Sequence, residues 1–166
     1  MAIDSNPYPA YLDRAWYQIT ALTVSSMPIV HSSRRKQFLR MQFERNAGVY
    51  QFKIRAWVIL DDHYHLLLKS RRGEDIPRFS ARIHLSTTHQ FNLWDRTDGR
   101  NVWQPAQCKW LKTAESFWHS FSTIHLDPLE HGYTQSLKTY RYSSYMYYFH
   151  RKGQLWLEKC LKQIEY

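Results

Sequence analysis

The residues best suited to chemistry are two histidines, His63 and His65, which follow an Asp61-Asp62 corner between the apolar runs Ala56–Leu60 and Leu66–Leu68. Alternate residues of an extended chain share a face. The two imidazoles therefore project together, and Tyr64 and Leu66 point the other way. Two imidazoles at i and i+2 suit one divalent ion, with a carboxylate or amide from elsewhere as third ligand. A pair of ordinary core or surface histidines is the alternative, because the spacing arises easily by chance in a chain with 9 His. Upstream, Tyr50, Phe52, Ile54, Ala56, Val58 and Leu60 alternate with Gln51, Lys53 and Arg55. That pattern reads as a half-buried strand, and residues 50–69 read as a hairpin that carries the imidazole pair.

The remaining elements must hold this hairpin. Residues 1–14, with Pro7 and Pro9, read as an irregular arm, and 15–22 as a strand broken by Ser25–Pro28. The spacing predicts a helix over 33–46, stopped by Gly48, with Phe38 and Met41, and Leu39 and Phe43, making buried contacts. Arg34, Arg35, Lys36, Arg40 and Arg45 crowd its remaining surface, as a solvated face or as phosphate contacts. Asp75 suits an N-cap with Pro77 in the first turn. Ile76, Phe79, Ile83, Thr87, Phe91 and Trp94 then form one core stripe, with Arg78, Arg82 and His89 off it. Short extended pieces follow over 102–111, bent or placed at an edge by Pro105. Thr113 suits the N-cap of a helix over 114–126 whose core stripe is Phe117, Phe121 and Ile124. His119, Thr123 and Asp127 lie along a different side at i, i+4 and i+8, and Pro128 and Gly132 end or bend the element. The tyrosine-rich stretch 133–150, with Arg141, Phe149 and His150, is suited to stacking bases and binding phosphates, or to plain packing. Leu157, Leu161 and Ile164 place a last helix over 155–164 against the core.

With 166 residues, 7 Trp, 12 Tyr and 8 Phe, the chain suits one domain with a large-residue core. A formal charge of +9 and a pI near 9.6 favour anionic partners, nucleic acid first. No apolar stretch approaches the ~20 residues needed to span a bilayer, and residues 1–10 lack a basic-then-apolar signal pattern. Cys108 and Cys160, far apart and without metal-type spacing, read as reduced thiols in a cytoplasmic protein. An adjacent antiparallel strand pair with helices elsewhere indicates an α+β fold.

The hairpin resembles the His–hydrophobic–His strand of the HUH nucleases, and more closely that of the REP-associated tyrosine transposases, relatives of the single-tyrosine insertion-sequence transposases. Three later segments match that family in order: Val102-Trp103-Gln104-Pro105, Thr123-Ile124-His125-Leu126-Asp127-Pro128 running on to His131-Gly132, and Tyr140-Arg141-Tyr142-Ser143-Ser144-Tyr145. The likeness is looser before residue 50 and ends near residue 150. It implies a ferredoxin-like antiparallel sheet with packed helices, one HUH transposase-like domain over 1–150, and a C-terminal helix over 151–166 packed on it. It also implies single-stranded or hairpin DNA as partner of a monomer or homodimer, and a divalent ion, Mg²⁺ or Mn²⁺, on His63 and His65 with Asp127 as third ligand. Arg34, Arg35, Lys36, Arg40, Arg78, Arg82 and Arg141 become candidates for DNA contact. In the family a tyrosine attacks the scissile phosphate and forms a phosphotyrosine link. Thr123 stands at that position. Its hydroxyl has a shorter reach than a phenol and a pKa far above tyrosine's ~10. Three readings stay open: cleavage is lost and DNA binding kept; Tyr133, Tyr140 or Tyr142 takes the role; or the register differs.

Overall fold

A computed structural model describes residues 11–162. Residues 1–10 of the expected arm, and Ile164 of the expected last stripe, lie outside the described residues. In order, the chain forms β1 (Trp16–Leu22), α1 (Ser33–Tyr50), β2 (Lys53–Ile59), β3 (His63–Lys69), α2 (Ile76–Asp95), β4 (Gln107–Trp110), α3 (Ala114–Glu130), α4 (Tyr145–Lys152) and α5 (Gln154–Leu161), with short 3₁₀ turns between. The strands form one antiparallel sheet in the order β2-β3-β1-β4. The first six elements follow the β-α-β-β-α-β sequence shared with ferredoxin-like folds, so the α+β expectation holds. No helix among the described residues is long and apolar enough to cross a membrane.

Helices cover both faces of the sheet. On one face Tyr17, Ile19, Tyr64, Leu66 and Leu68 pack against Leu39 and Phe43 of α1 and Phe79, Ile83 and Phe91 of α2. On the other, Ala56, Val58, Leu60 and Leu67 pack against Phe121 and Ile124 of α3, with Tyr145, Tyr148 and Leu157 of α4 and α5. This corrects the half-buried reading of the hairpin. A bulge between Ile54 and Ala56 shifts the register of β2 against β3, and an extra residue in one strand reverses its alternation. Phe52 and Ile54 therefore join the α1/α2 layer, while Ala56, Val58 and Leu60 join the α3 layer. Tyr50 belongs to α1, not to the strand.

Three helix ends also differ from expectation. Helix α1 starts as predicted, with Ser32 accepting from the Arg35 amide, but runs through Gly48 to Tyr50. Gln51, at φ +55°, closes it by donating to the Ala47 and Gly48 carbonyls. Asp75 sits before α2 with a helical backbone and no side-chain cap; its carboxylate accepts from Arg78 at 3.2 Å instead. Thr113 caps α3 as predicted, in a reciprocal box with Ser116, yet α3 continues past Pro128 to Glu130. There Pro128 lacks the N–H that would otherwise reach the Ile124 carbonyl, and the helix ends within one turn of it. Met41 is exposed rather than buried.

Candidate metal centre

Strand β3 and helix α3 meet over the histidine pair. Paired between β1 and β2, β3 aims His63 and His65 at α3, and Tyr64 at the opposite core. The extra length of α3 carries Asp127 to them. His63 Nε2 lies 2.9 Å from Asp127 Oδ2, and His65 Nε2 lies 3.7 Å from the same oxygen. One ligand atom from each of His63, His65 and Asp127 falls within 4.8 Å of the others. Asp127 is 3% exposed, so its charge has almost no water.

Each imidazole is oriented from behind. Asp62 Oδ1 stands 2.6 Å from His63 Nδ1, and Thr20 Oγ1 2.8 Å from His65 Nδ1. Occupied Nδ1 atoms leave both Nε2 atoms for the centre, the arrangement that outer partners impose on metal-binding histidines. Burial pulls the His63 pKa down, but hydrogen bonds and charge from Asp127 and Asp62 outweigh it, and the net shift is upward. With both ring nitrogens against carboxylates, His63 donates to both only as an imidazolium. Burial lowers His65 to about 4, so it stays neutral near pH 7. A neutral imidazole, an imidazole whose Nε2 proton an ion can displace, and a buried carboxylate suit a hard divalent cation.

Sequence reasoning missed three members of this cluster. Asp62 adjoins His63 in sequence, a signal that was present. Thr20 reaches His65 only because the β1/β3 register sets them opposite. His131, one turn after Asp127, has Nδ1 3.1 Å from Asp127 Oδ1, and its ring lies 5.0 Å from that of His63. Its i+4 spacing was readable.

The hydroxyls differ sharply in placement. Thr123 is half-buried one turn before Asp127, and its Oγ1 donates to the His119 carbonyl at 3.0 Å. It borders a cleft of about 440 Å³ that Thr20 and Gln107 also line. Tyr140 is buried and donates to the Ile59 carbonyl at 2.7 Å; burial pushes its hydroxyl pKa up. Tyr142 is half-buried with the Lys36 ammonium 5.5 Å from its ring centre. Tyr133 is 39% exposed. Burial and the charges of Asp61, Asp62 and Asp127 raise its pKa, which places it near the acidic side of the cluster.

The basic residues do not share one surface. Arg35 and Lys36 are buried: Arg35 donates to the Ile29 carbonyl and pairs with Asp95, and Lys36 donates to the Val30 carbonyl and pairs with Asp61. They brace the start of α1 instead of belonging to the exposed basic run. Arg34 lies over Trp94 at 4.0 Å. Arg78 and Arg82 are exposed on α2, while Arg40 and Arg141 line a cleft at the β2 edge.

No protein-family model matches the chain. The REP-associated tyrosine transposase of Escherichia coli (strain K12) is 28% identical over 130 residues, covering 72% of either chain. A solved REP-associated tyrosine transposase, bound to a REP hairpin, superposes with a TM-score of 0.68 at 21% identity, over 87% of this chain and 82% of that one. A tRNA(His) guanylyltransferase from Saccharomyces cerevisiae, at TM-score 0.54 and 12% identity over 92% and 73% of the two chains, shares the fold alone. Over most of both sequences, and on the same sheet, the chain is thus similar to the REP-associated tyrosine transposases.

Proposed function

We propose that this protein binds single-stranded or hairpin DNA, holds Mg²⁺ or Mn²⁺ on His63, His65 and Asp127, and has lost the strand cleavage of its relatives. The convergence of both Nε2 atoms on the buried Asp127 carboxylate carries the metal assignment. The solved relative's REP hairpin and the net charge of +9 support DNA as the partner, bound by a monomer or a homodimer. A divalent ion there would neutralise charge on phosphodiester oxygens. The protein's own residues orient that site: Asp62 and Thr20 fix the two rings, and β3 fixes their spacing.

The loss of cleavage rests on Thr123. Its hydroxyl is short, weakly acidic, and hydrogen-bonded to its own helix. Such a group is a poor nucleophile and a poor leaving group, whereas rejoining a strand requires a good one. A second reading gives the role to Tyr133, since it is exposed beside the acidic cluster. Tyr140 fits that role poorly, because it is buried and bonded to Ile59.

Incubation with an end-labelled hairpin in Mn²⁺, followed by a denaturing gel, separates these readings. The wild type should form no covalent adduct, Thr123→Tyr should gain one, and adding His63→Ala should remove it. A strong wild-type adduct mapped to Tyr133 would overturn the loss of cleavage. Absence of any hairpin binding would overturn the DNA assignment.

A further inference from the structure

The end of the sheet farthest from the imidazoles holds a cleft of about 360 Å³, lined by Arg14, Gln51, Lys53, Lys69, Ser70 and Arg71. Lys69 closes β3 and His63 opens it, which sets them roughly 20 Å apart along the strand. The cleft is therefore separate from the metal centre.

Its walls are fixed. The Arg14 amide donates to the Arg71 carbonyl at 3.3 Å. Ser70 Oγ donates to the Leu12 carbonyl at 2.8 Å and accepts from the Ala15 amide at 3.2 Å. These bonds clip the chain entering β1 to the chain leaving β3. The Arg71 guanidinium is held in turn by Gln51 Oε1. Two lining residues stand in the left-handed region, Arg14 at φ +53° and Gln51 at φ +55°. Such backbone costs energy in residues other than glycine, and it gathers at sites that use it.

The charge in the cleft has one sign. Lys53 and Lys69 are direct cross-strand partners, and like charges so placed repel. Arg14 and Arg71 add two more, and no carboxylate lines the cleft among the described residues. The acidic residues nearby in sequence are already paired: Asp13 accepts from the Gly73 amide at 2.7 Å, and Glu74 bonds Arg72. No ring is offered to a base either. Trp16, cross-strand from Lys69, packs edge-on against Phe117 with ring centres 4.8 Å apart, under the Lys69 ammonium and the Arg55 guanidinium. An anion between the four cations relieves their repulsion. One orthophosphate cannot reach or neutralise all four, whereas a run of two or three phosphates carries matching charge. Guanidinium forks and ammonium groups are the donors such a run takes.

We propose that this cleft binds an oligophosphate, either free triphosphate or the triphosphate of a nucleotide. The phosphates lie across Lys53 and Lys69 and between Arg14 and Arg71, and any base stays in solvent. The site stands independently of the metal centre and of the DNA-binding reading above.

Isothermal titration calorimetry on the full chain tests it, at low salt and without divalent ions so that the metal centre takes no part. Tripolyphosphate should bind one per chain. Orthophosphate should bind at least about tenfold more weakly, the scale of one lost charge-assisted contact. ATP should match tripolyphosphate within about threefold, because the base adds no contact. Lys53→Gln/Arg71→Gln, which changes two exposed residues, should weaken tripolyphosphate about tenfold or more and leave hairpin affinity within about twofold. His63→Ala and Lys159→Gln should bind tripolyphosphate as the wild type does. At about a hundred times its Kd, tripolyphosphate should raise the wild-type unfolding midpoint by roughly 5–10 °C and that of the double variant far less. Unchanged affinity in the double variant overturns the site, and loss of binding in His63→Ala moves the anion to the imidazoles. Orthophosphate binding as tight as tripolyphosphate overturns the run of phosphates. A hairpin affinity about tenfold lower in the double variant would make the cleft part of the DNA path instead, and poly-glutamate binding tighter than tripolyphosphate would assign it to an acidic protein.

Discussion

The two faces of β3 are built from neighbouring residues and serve opposite ends. Tyr64, Leu66 and Leu68 have no solvent exposure and interlock with α1 and α2. His63 and His65, on the reverse face, are nearly as buried, but their neighbours are Asp62, Thr20 and Asp127. Buried apolar groups hold by area and shape, so their energy is large and their chemistry nil. Buried polar groups contribute little net stability when paired and cost much when orphaned. The apolar side of the strand is a platform that lets the other side hold charge in a fixed geometry. The largest test is to damage each side in turn. Phe43 is fully buried against Tyr64, with ring centres 4.9 Å apart. Phe43→Ala should destabilise the fold by about 3–5 kcal/mol in urea unfolding. His65→Ala should cost no more than about 1–2 kcal/mol while abolishing tight Mn²⁺ binding. Equal losses of stability would erase the distinction.

Acid should next expose what the two layers share. Burial lowers His84, in the α2 layer, and His125, in the α3 layer, to about 4, as it does His65. Their folded pKa values lie below the unfolded value near 6.5. Between about pH 6.5 and 4 the unfolded chain therefore binds more protons, so the stability present above pH 6.5 is lost as pH falls. His63 is shifted the other way, with a contribution present below pH 6.5 and lost as pH rises through its folded pKa. Three depressed histidines against one raised predict a net fall on acidification, each group adding a slope of up to about 1.4 kcal/mol per pH unit. Unfolding midpoints at pH 7, 6 and 5 measure it. His84→Gln should remove one histidine's share of the slope, and a flat profile in the wild type would contradict the burial of these rings.

The sequence made the imidazole pair legible because a two-residue period is the simplest signal a strand gives. Asp127 was legible through its resemblance and its place on the side of α3 that also holds Thr123. What hid was long-range. Arg35 and Lys36 looked like members of a basic run, yet their partners Ile29, Val30, Asp61 and Asp95 include residues up to 60 positions away. The bulge at Arg55 reversed the faces of β2, and no local feature marks it. Gly48 looked like a stop, but Gln51 at positive φ ends α1 three residues later. Helix α4 was hidden in a run of aromatic residues whose roles depend on α3 and α5 packing around them.

The smallest expected effect lies behind the imidazoles, where the polar face can be loosened without touching the apolar one. Asp62 and Thr20 both fix an Nδ1 atom, but with different strength. A carboxylate 2.6 Å from Nδ1 makes a charge-assisted bond that orients the ring and raises its basicity. The Thr20 hydroxyl, 2.8 Å from His65, orients the ring without adding charge. Asp62→Asn should weaken Mn²⁺ binding about tenfold or more, within the range for outer-shell carboxylates. Thr20→Val, which keeps the shape and removes the oxygen, should weaken it only about two- to fivefold, since a neutral bond contributes roughly half as much. Neither should move the urea midpoint at pH 7 by much, because neither residue enters the core that Tyr64 and Phe43 share. Free-Mn²⁺ EPR titration of both variants, with unfolding curves on the same samples, ranks them. Equal losses in the two would mean that aim alone sets the site. A fall in stability that matches the fall in affinity would mean that the two faces of β3 are not energetically separate.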